Sequence, residues 1–287
     1  PLMQPSSPLR RLLGGQLNFP YISRRMENVL MTPRAIDLAN SLIDAGNSQS
    51  LVMIGRGQAR QGEREESQRN LLRALAADPL DQQARYALLQ PWLSDISFGT
   101  EVPEIIAEEL AKLAGTAAAT MRGLIATHND DMFELVQLDA TLASVLPSDL
   151  WYSDSVKLRS EWRVRLTTPE YQPRMANEAT ALIDSAIAFT PDFGFYLLRL
   201  KSTDLAGDVQ STLETARRLL FLFTNEIERV ESELSNFGPA TKILRNQQFD
   251  EVGELLEKIS SDGIALQLDI ELIEATIAEL RSRLDAL

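Results

Sequence analysis

The feature that most restricts the fold is a helical hydrophobic period, broken at short intervals by glycine and proline. Runs of alternating β-branched and aromatic residues, which would indicate strands, hardly occur after residue 30. The breakers lie between or at the ends of the periodic segments, as helix-ending residues should. They include Gly62, Pro79, Pro103, Gly115, Pro147, Pro191, Gly207, Gly238 and Gly263. The pattern predicts an all-α protein of closely connected helices, arranged as a bundle or a solenoid.

The period also gives approximate helix bounds. Helices are predicted at 33–45, 48–60, 63–77, 81–94, 103–114, 116–127, 131–146, 150–166, 173–189, 193–205, 208–236, 239–260 and 263–287. The segment 239–260 is predicted as two short helices. Pro91 lies inside the segment 81–94 and is expected to kink or shorten that helix.

The residue inventory excludes several kinds of catalytic and metal site. The 287 residues contain no cysteine, which excludes disulfides, thiolate metal sites and cysteine nucleophiles. The single histidine, His128, stands beside Asp130 and Asp131 between two predicted helices, where Asn129 and Asp130 are expected to cap a helix. Phosphate-loop, nucleophile-elbow and dinucleotide-binding motifs are absent. We therefore expect no catalytic residue, no metal site and no cofactor.

Charge is distributed unevenly. The formal net charge is −13, yet residues 1–34 carry five arginines against one glutamate. We interpret 1–34 as an irregular basic lead-in. The acidic remainder should repel nucleic acid and anionic membranes. Residues 225–287 hold 14 acidic and 6 basic side chains, which favours a basic partner at that end. No apolar run approaches the roughly 20 residues of a membrane span.

An internal repeat is visible in the segment 51–79. Small and large residues recur there at fixed spacing, at Leu51, Ile54, Gly55, Gln58, Gly62, Ser67, Leu71, Ala74 and Pro79. This spacing resembles the tetratricopeptide repeat family. Small residues at Gly55 and Ser67 would let two antiparallel helices approach closely, and Gly62 would make the turn between them. The resemblance implies antiparallel helix pairs stacked into an α-solenoid.

A second match lies about a hundred residues later. Ala179, Ile183, Ala186 and Pro191 repeat the second half of the spacing, and a third unit is expected at 193–223. The interval 100–150 keeps only part of the pattern and is treated as a degenerate repeat or an inserted helical pair. The predicted domains are the lead-in 1–34, the tetratricopeptide-like repeats 35–207 and a long-helix segment 208–287.

The last segment carries two heptad-like seams. One runs through Leu213, Ala216, Leu220, Phe223, Ile227, Val230, Leu234 and Phe237, and the other through Leu266, Ile270, Ile273, Ile277, Leu280, Leu284 and Leu287. We favour a hairpin of these two helices that caps the solenoid, as repeat arrays require. The alternative use of the second seam is a homodimer through the last helix.

The resemblance also implies a function. In tetratricopeptide families the first helices of the repeats line a groove that holds an extended peptide. On this sequence the groove-facing side chains include Arg56 and Arg60 from the first repeat, and Tyr86 and Gln90 from the next. Two arginines one turn apart could bind a peptide carboxylate. The expected function is a non-enzymatic interaction scaffold that binds a protein or peptide.

One hypothesis of another class remains. The repeats could be the C-terminal tail of a larger enzyme whose catalytic domain lies upstream of Pro1, the first residue of the sequence. The composition sets few limits on localisation, and we favour a cytoplasmic location.

Overall fold

The computed structural model of the chain describes residues 48–60, 63–167, 172–188, 193–232, 239–258 and 264–286. Every regular element within these ranges is a helix, so the predicted all-α class is confirmed for the described part of the chain. The lead-in 1–34 and the predicted helix at 33–45 lie outside the described residues.

The helices follow one another with short connections. They are α1 (Ser48–Arg60), α2 (Arg64–Ala77), α3 (Gln82–Leu89), α4 (Leu93–Ser97), α5 (Glu104–Ala111), α6 (Gly115–His128), α7 (Met132–Leu142), α8 (Tyr152–Arg165), α9 (Gln172–Ile187), α10 (Phe193–Leu205), α11 (Val209–Ser232), α12 (Pro239–Lys258) and α13 (Ile264–Ala286). A 3₁₀ turn, Gln90–Trp92, separates α3 from α4 and contains Pro91, as the predicted kink requires.

Two local predictions are wrong. The segment 239–260 forms one helix, Pro239–Lys258, rather than two: Arg245 in its first half is bonded to Glu226 of α11, and apolar residues from Phe249 to Leu256 in its second half are buried. The cap of α7 is Asp131, whose side chain accepts a hydrogen bond from the Glu134 backbone N–H at 3.0 Å. Asn129 instead ends α6, and Asp130 between them has a positive φ of 57°.

The chain divides into two compact units, Pro1–Arg159 and Ser160–Leu287, and the division falls within α8. This division follows contacts between residues, whereas the predicted domains follow the repeat pattern. The predicted boundary at 207 stays a prediction.

In the first unit, α1 and α2 pack closely against each other. The contact depends on Gly55, because a Cβ atom there would lie 2.7 Å from Leu71 Cγ and 3.2 Å from the Ser67 carbonyl oxygen. Leu71 is fully buried and Ser67 is 1% exposed. The small residue that the sequence pattern places at Gly55 is therefore required by the packing of the pair.

The interval 100–150 contains a similar contact. Helices α6 and α7 pack against each other, and a Cβ on Gly123 of α6 would lie 2.7 Å from Leu158 Cδ1. Its next contact would be Leu135 Cδ2 of α7, at 3.5 Å. Glycine therefore lets α6 lie against leucines of both α7 and α8.

A buried ion pair joins α3 to α5. Arg85 Nε donates to Glu109 Oε2 at 2.7 Å, and Arg85 Nη2 donates to the Pro79 carbonyl oxygen, also at 2.7 Å. The two side chains are only 5% and 9% exposed. Lys112 Nζ donates to the other Glu109 oxygen at 2.8 Å from the surface side. The Glu109 carboxylate is therefore buried with both oxygens bonded to cations.

In the second unit, α10 packs against both α9 and α11. The residues of the second sequence match, Ala179, Ile183 and Ala186 on α9, are all fully buried. The first seam lies along α11, and its described members from Leu213 to Val230 are at most 6% exposed. Helix α11 packs against α13.

The described members of the second seam are buried inside the same unit. Ile270, Ile273, Ile277, Leu280 and Leu284 of α13 belong to one core cluster with the apolar residues of α11 and α12. The predicted pairing of the two long helices therefore occurs within the chain. A homodimer through the same seam would have to replace these contacts, and it stays a prediction.

Candidate functional site

Three of the four residues that the sequence predicts for peptide binding lie near one another in the first unit. Arg56 is on α1, Tyr86 is on α3, and Gln90 begins the 3₁₀ turn. The charge of Arg56 acts on the Tyr86 hydroxyl, while Gln90 shares a hydrogen-bond acceptor with it. Arg60 ends α1, and its side chain lies outside the part of the structure that is described. The prediction of its role is therefore not altered.

Asp154 joins Tyr86 and Gln90. Its Oδ2 accepts a hydrogen bond from the Tyr86 hydroxyl at 2.7 Å and another from Gln90 Nε2 at 3.1 Å. Asp154 lies in the first turn of α8, where the helix N-terminus favours a negative charge. The carboxylate is therefore held in one position by two donors from another part of the first unit.

Tyr86 differs from its predicted role. The sequence predicts a groove-facing side chain, but Tyr86 is 0% exposed, and its ring lies 5.5 Å from that of Trp151 between centroids. Trp151 is itself anchored by a hydrogen bond from Nε1 to Thr116 Oγ1 at 3.1 Å. Tyr86 therefore cannot contact a ligand at the surface. Its hydroxyl instead holds Asp154 in position from the buried side.

The protonation state of Tyr86 follows from this environment. Burial raises the pKa of the hydroxyl well above its ordinary value of 10.0, and the charge and hydrogen bond of Asp154 raise it further. The hydrogen bond from Gln90 and the positive charge of Arg56 act in the opposite direction but are outweighed. Tyr86 therefore stays protonated and remains a hydrogen-bond donor to Asp154 at neutral pH.

The second oxygen of Asp154 is the part of the site that a ligand could use. Among the described residues no group donates a hydrogen bond to Oδ1, and Asp154 is only partly buried. A fixed carboxylate oxygen of this kind can accept a peptide N–H or the charged end of a lysine or arginine. The half-buried Arg56 places a positive charge in the same neighbourhood. The site therefore combines an acceptor with a cation.

Sequence reasoning missed Asp154. The residue is separated from Gln90 by 64 positions and lies after the interval that fits the repeat pattern poorly. An aspartate in the first turn of a helix is usually interpreted as a favourable helix start, so no local signal distinguishes it. Only the packing of α8 reveals its partners.

The described residues were also considered as metal ligands. They contain no group of three or more histidine, cysteine, aspartate or glutamate side chains that could hold a metal ion. The expectation of no metal and no cofactor stays a prediction for the whole chain. Within the same described residues, no helix has the length and apolar character needed to cross a membrane.

Comparisons with known proteins give no family. No protein-family model matches the chain, and no curated protein matches it. The resemblance to tetratricopeptide repeats therefore depends on residue spacing.

Proposed function

We propose that the chain is a non-enzymatic interaction scaffold that binds an extended peptide of a partner protein on the surface formed by α1, the 3₁₀ turn and the start of α8. The observation that carries the proposal is the fixed Asp154 carboxylate, whose Oδ2 is bonded to Tyr86 and Gln90 while Oδ1 is left for a ligand. Arg56 adds a positive charge beside it.

The proposal includes a tetratricopeptide-like architecture for the helix pairs. The large residues of the first match, Leu51, Ile54 and Leu71, are each at most 2% exposed, and Ala74 is fully buried. The corresponding small residue, Gly55, lies where the two helices touch. These are the roles that the repeat spacing assigns to those positions, and they support a repeat rather than a chance match.

The proposed mode of binding uses both charges. The positive charge of the Arg56 guanidinium would attract an acidic group of the peptide. Asp154 Oδ1 would accept a peptide N–H or a basic side chain next to that acidic group. A cation and an acceptor side by side select a peptide with a matching pair of groups. Such a surface discriminates better than a purely cationic clamp, because the wrong order of charges is repelled.

The clamp is tested with peptides selected from a random display library on the immobilised chain. Replacing both Arg56 and Arg60 by alanine is expected to weaken their binding by about tenfold or more. The reason is that hydrogen bonds to charged groups contribute about 1.5–3 kcal/mol each, and about 1.4 kcal/mol corresponds to a factor of ten. The dissociation constant is measured by titration calorimetry, and helicity by circular dichroism.

A matched control is available on α2. Arg69 and Arg73 are also separated by one helical turn, both are exposed, and replacing both by alanine removes the same two charges. The control variant is expected to bind the peptides like the unaltered chain. Unchanged affinity in the Arg56 and Arg60 variant would discard the clamp, and a selection that yields no binding peptide would contradict the proposed function.

The second hypothesis, a repeat tail of a larger enzyme, stays a prediction. No described residue of the chain distinguishes it from the scaffold. The intact mass of the native protein tests it, since a catalytic domain before Pro1 would add a large, measurable excess over 32.0 kDa.

A further inference from the structure

An open cavity of about 570 Å³ lies in the second unit, between α9, α10 and α11. It is built from residues 184–221, so it shares no residue with the proposed peptide site. Its volume is within the range of about 300–1,000 Å³ that small-molecule sites occupy. Its lining combines apolar side chains with three arginines. The hydrogen bonds and ion pairs of each arginine determine which ligand the cavity fits.

Arg199 is fixed in the wall of the cavity. Its Nε donates to Asp184 Oδ1 of α9 at 2.7 Å, and its Nη1 is bonded to Thr215 Oγ1 and to the Ser211 carbonyl oxygen of α11. These bonds hold the guanidinium between two helices. Its third nitrogen, Nη2, has no hydrogen bond within the described residues, although the side chain is only 19% exposed. A preorganised donor pair of this kind suits an anion.

The other arginines are not equivalent. Arg217 is paired with Asp269 of α13. Arg218 has no ion-pair partner within the described residues, and its guanidinium carbon lies 5.9 Å from the centre of the Phe221 ring. Asp184 offsets the charge of Arg199, and Glu214 also lines the cavity. The charges thus nearly cancel, which favours a ligand with one negative charge over a dianion.

The apolar part of the cavity determines the rest of the ligand. Phe221 is 55% exposed and forms part of the lining together with Ile187. Tyr196 also lines the cavity, and its hydroxyl has no hydrogen-bond partner among the described residues. An aromatic ring could stack on Phe221 while a carboxylate attached to it reaches the donors of Arg199 and Arg218.

We propose that the cavity between α9, α10 and α11 binds a small aromatic monocarboxylate, whose carboxylate is held by Arg199 Nη2 and Arg218 and whose ring packs on Phe221. This site does not depend on the proposed peptide site, so either proposal can fail without the other. A peptide in which an acidic side chain stands next to an aromatic residue offers the same two groups as a small aromatic acid. The experiment distinguishes these two kinds of ligand.

The probe is 3-phenylpropanoate, titrated into the full chain and followed by the NMR signal of the Ile187 δ1 methyl group. Saturable shifts are expected with the acid, and at least tenfold weaker binding with 3-phenylpropanamide, which lacks the charge. Arg218→Gln is expected to weaken binding of the acid by about tenfold, because it removes a charged hydrogen bond. Phe221→Ser should weaken binding as well. Both side chains are exposed on α11, so the helix content should not change.

The matched control is Arg174→Gln, which removes an arginine that is 85% exposed on α9 and lies outside the cavity lining. Its binding of the acid is expected to be unchanged. Equal binding of the acid and the amide, or equal binding by Arg218→Gln and the unaltered chain, would overturn the proposal. Tighter binding of a blocked Asp-Phe dipeptide than of 3-phenylpropanoate would overturn the assignment to a small molecule.

Discussion

Replacing Arg85 by alanine is expected to lower the free energy of unfolding of the first unit by about 3 kcal/mol. Removing one member of a buried ion pair leaves the other charge uncompensated, at a cost of about 3–5 kcal/mol. The lower end applies because Lys112 still contacts Glu109. The Pro79 carbonyl oxygen also loses the donor that it has in Arg85.

The measurement is urea denaturation followed by tryptophan fluorescence. A Trp162→Phe background leaves Trp92 and Trp151, both in the first unit, as the reporters. Arg69→Ala, on an exposed face of α2, is the control and should change the free energy of unfolding by less than about 0.5 kcal/mol. A loss below about 1 kcal/mol in Arg85→Ala would mean that the Arg85–Glu109 pair contributes no more than a surface pair.

The same ion pair makes stability depend on pH. Burial alone would raise the pKa of Glu109, but hydrogen bonds from Lys112 and Arg85 outweigh it and lower the pKa below its ordinary 4.5. A lowered carboxyl pKa stabilises the folded state above that ordinary value and loses its contribution as pH falls below it. The free energy of unfolding should therefore decline from about pH 4.5 downward, and Glu109→Gln should make this decline shallower.

Replacing Gly55 by valine is expected to lower the free energy of unfolding of the first unit by about 2–3 kcal/mol. Even the first added carbon would lie 2.7 Å from Leu71 Cγ, and the Ser67 carbonyl oxygen at 3.2 Å prevents the side chain from turning away. Extra atoms in a well-packed contact usually cost about 1–3 kcal/mol. The helix propensity of valine offsets only a few tenths of a kcal/mol of this loss.

A helical glycine in open space is the control. Apart from the adjacent backbone of α12 itself, no described atom lies within 4 Å of a Cβ built on Gly253, so Gly253→Ala should raise the free energy of unfolding of the second unit by about 0.5–1 kcal/mol. Urea denaturation is therefore expected to show a lower free energy of unfolding for Gly55→Val and a higher one for Gly253→Ala. If Gly55→Val left stability unchanged, α1 and α2 would not be held at the distance described.

Most helix bounds could be predicted because the signals are local. The predicted segments 63–77 and 116–127 agree within one residue with α2 and α6, since the hydrophobic period and its breakers act within a few residues. The prediction of two short helices at 239–260 was wrong for a different reason. Both halves of α12 contact other helices, through the Arg245–Glu226 pair and through the buried residues from Phe249 onward, and no local pattern encodes these contacts.

The candidate site was only partly predictable. The repeat spacing predicts Arg56, Tyr86 and Gln90 on neighbouring helices, and in the structure Arg56 and Gln90 both act on the Tyr86 hydroxyl. It could not predict that Tyr86 is buried or that Asp154 is its acceptor, since both depend on how α8 packs. The cavity at Arg199 could not be predicted for the same reason. The Arg199 donors are fixed by partners on two other helices.

The central claim is that the surface around Arg56 and Asp154 binds a peptide, and hydrogen–deuterium exchange tests it most directly. Exchange is compared for the full chain with and without a display-selected peptide. Binding there is expected to slow exchange in 48–60, 82–92 and 150–156, and Asp154→Asn should remove that protection while α9 to α13 are unaffected. Protection confined to 172–286, or protection that persists in Asp154→Asn, would contradict the claim.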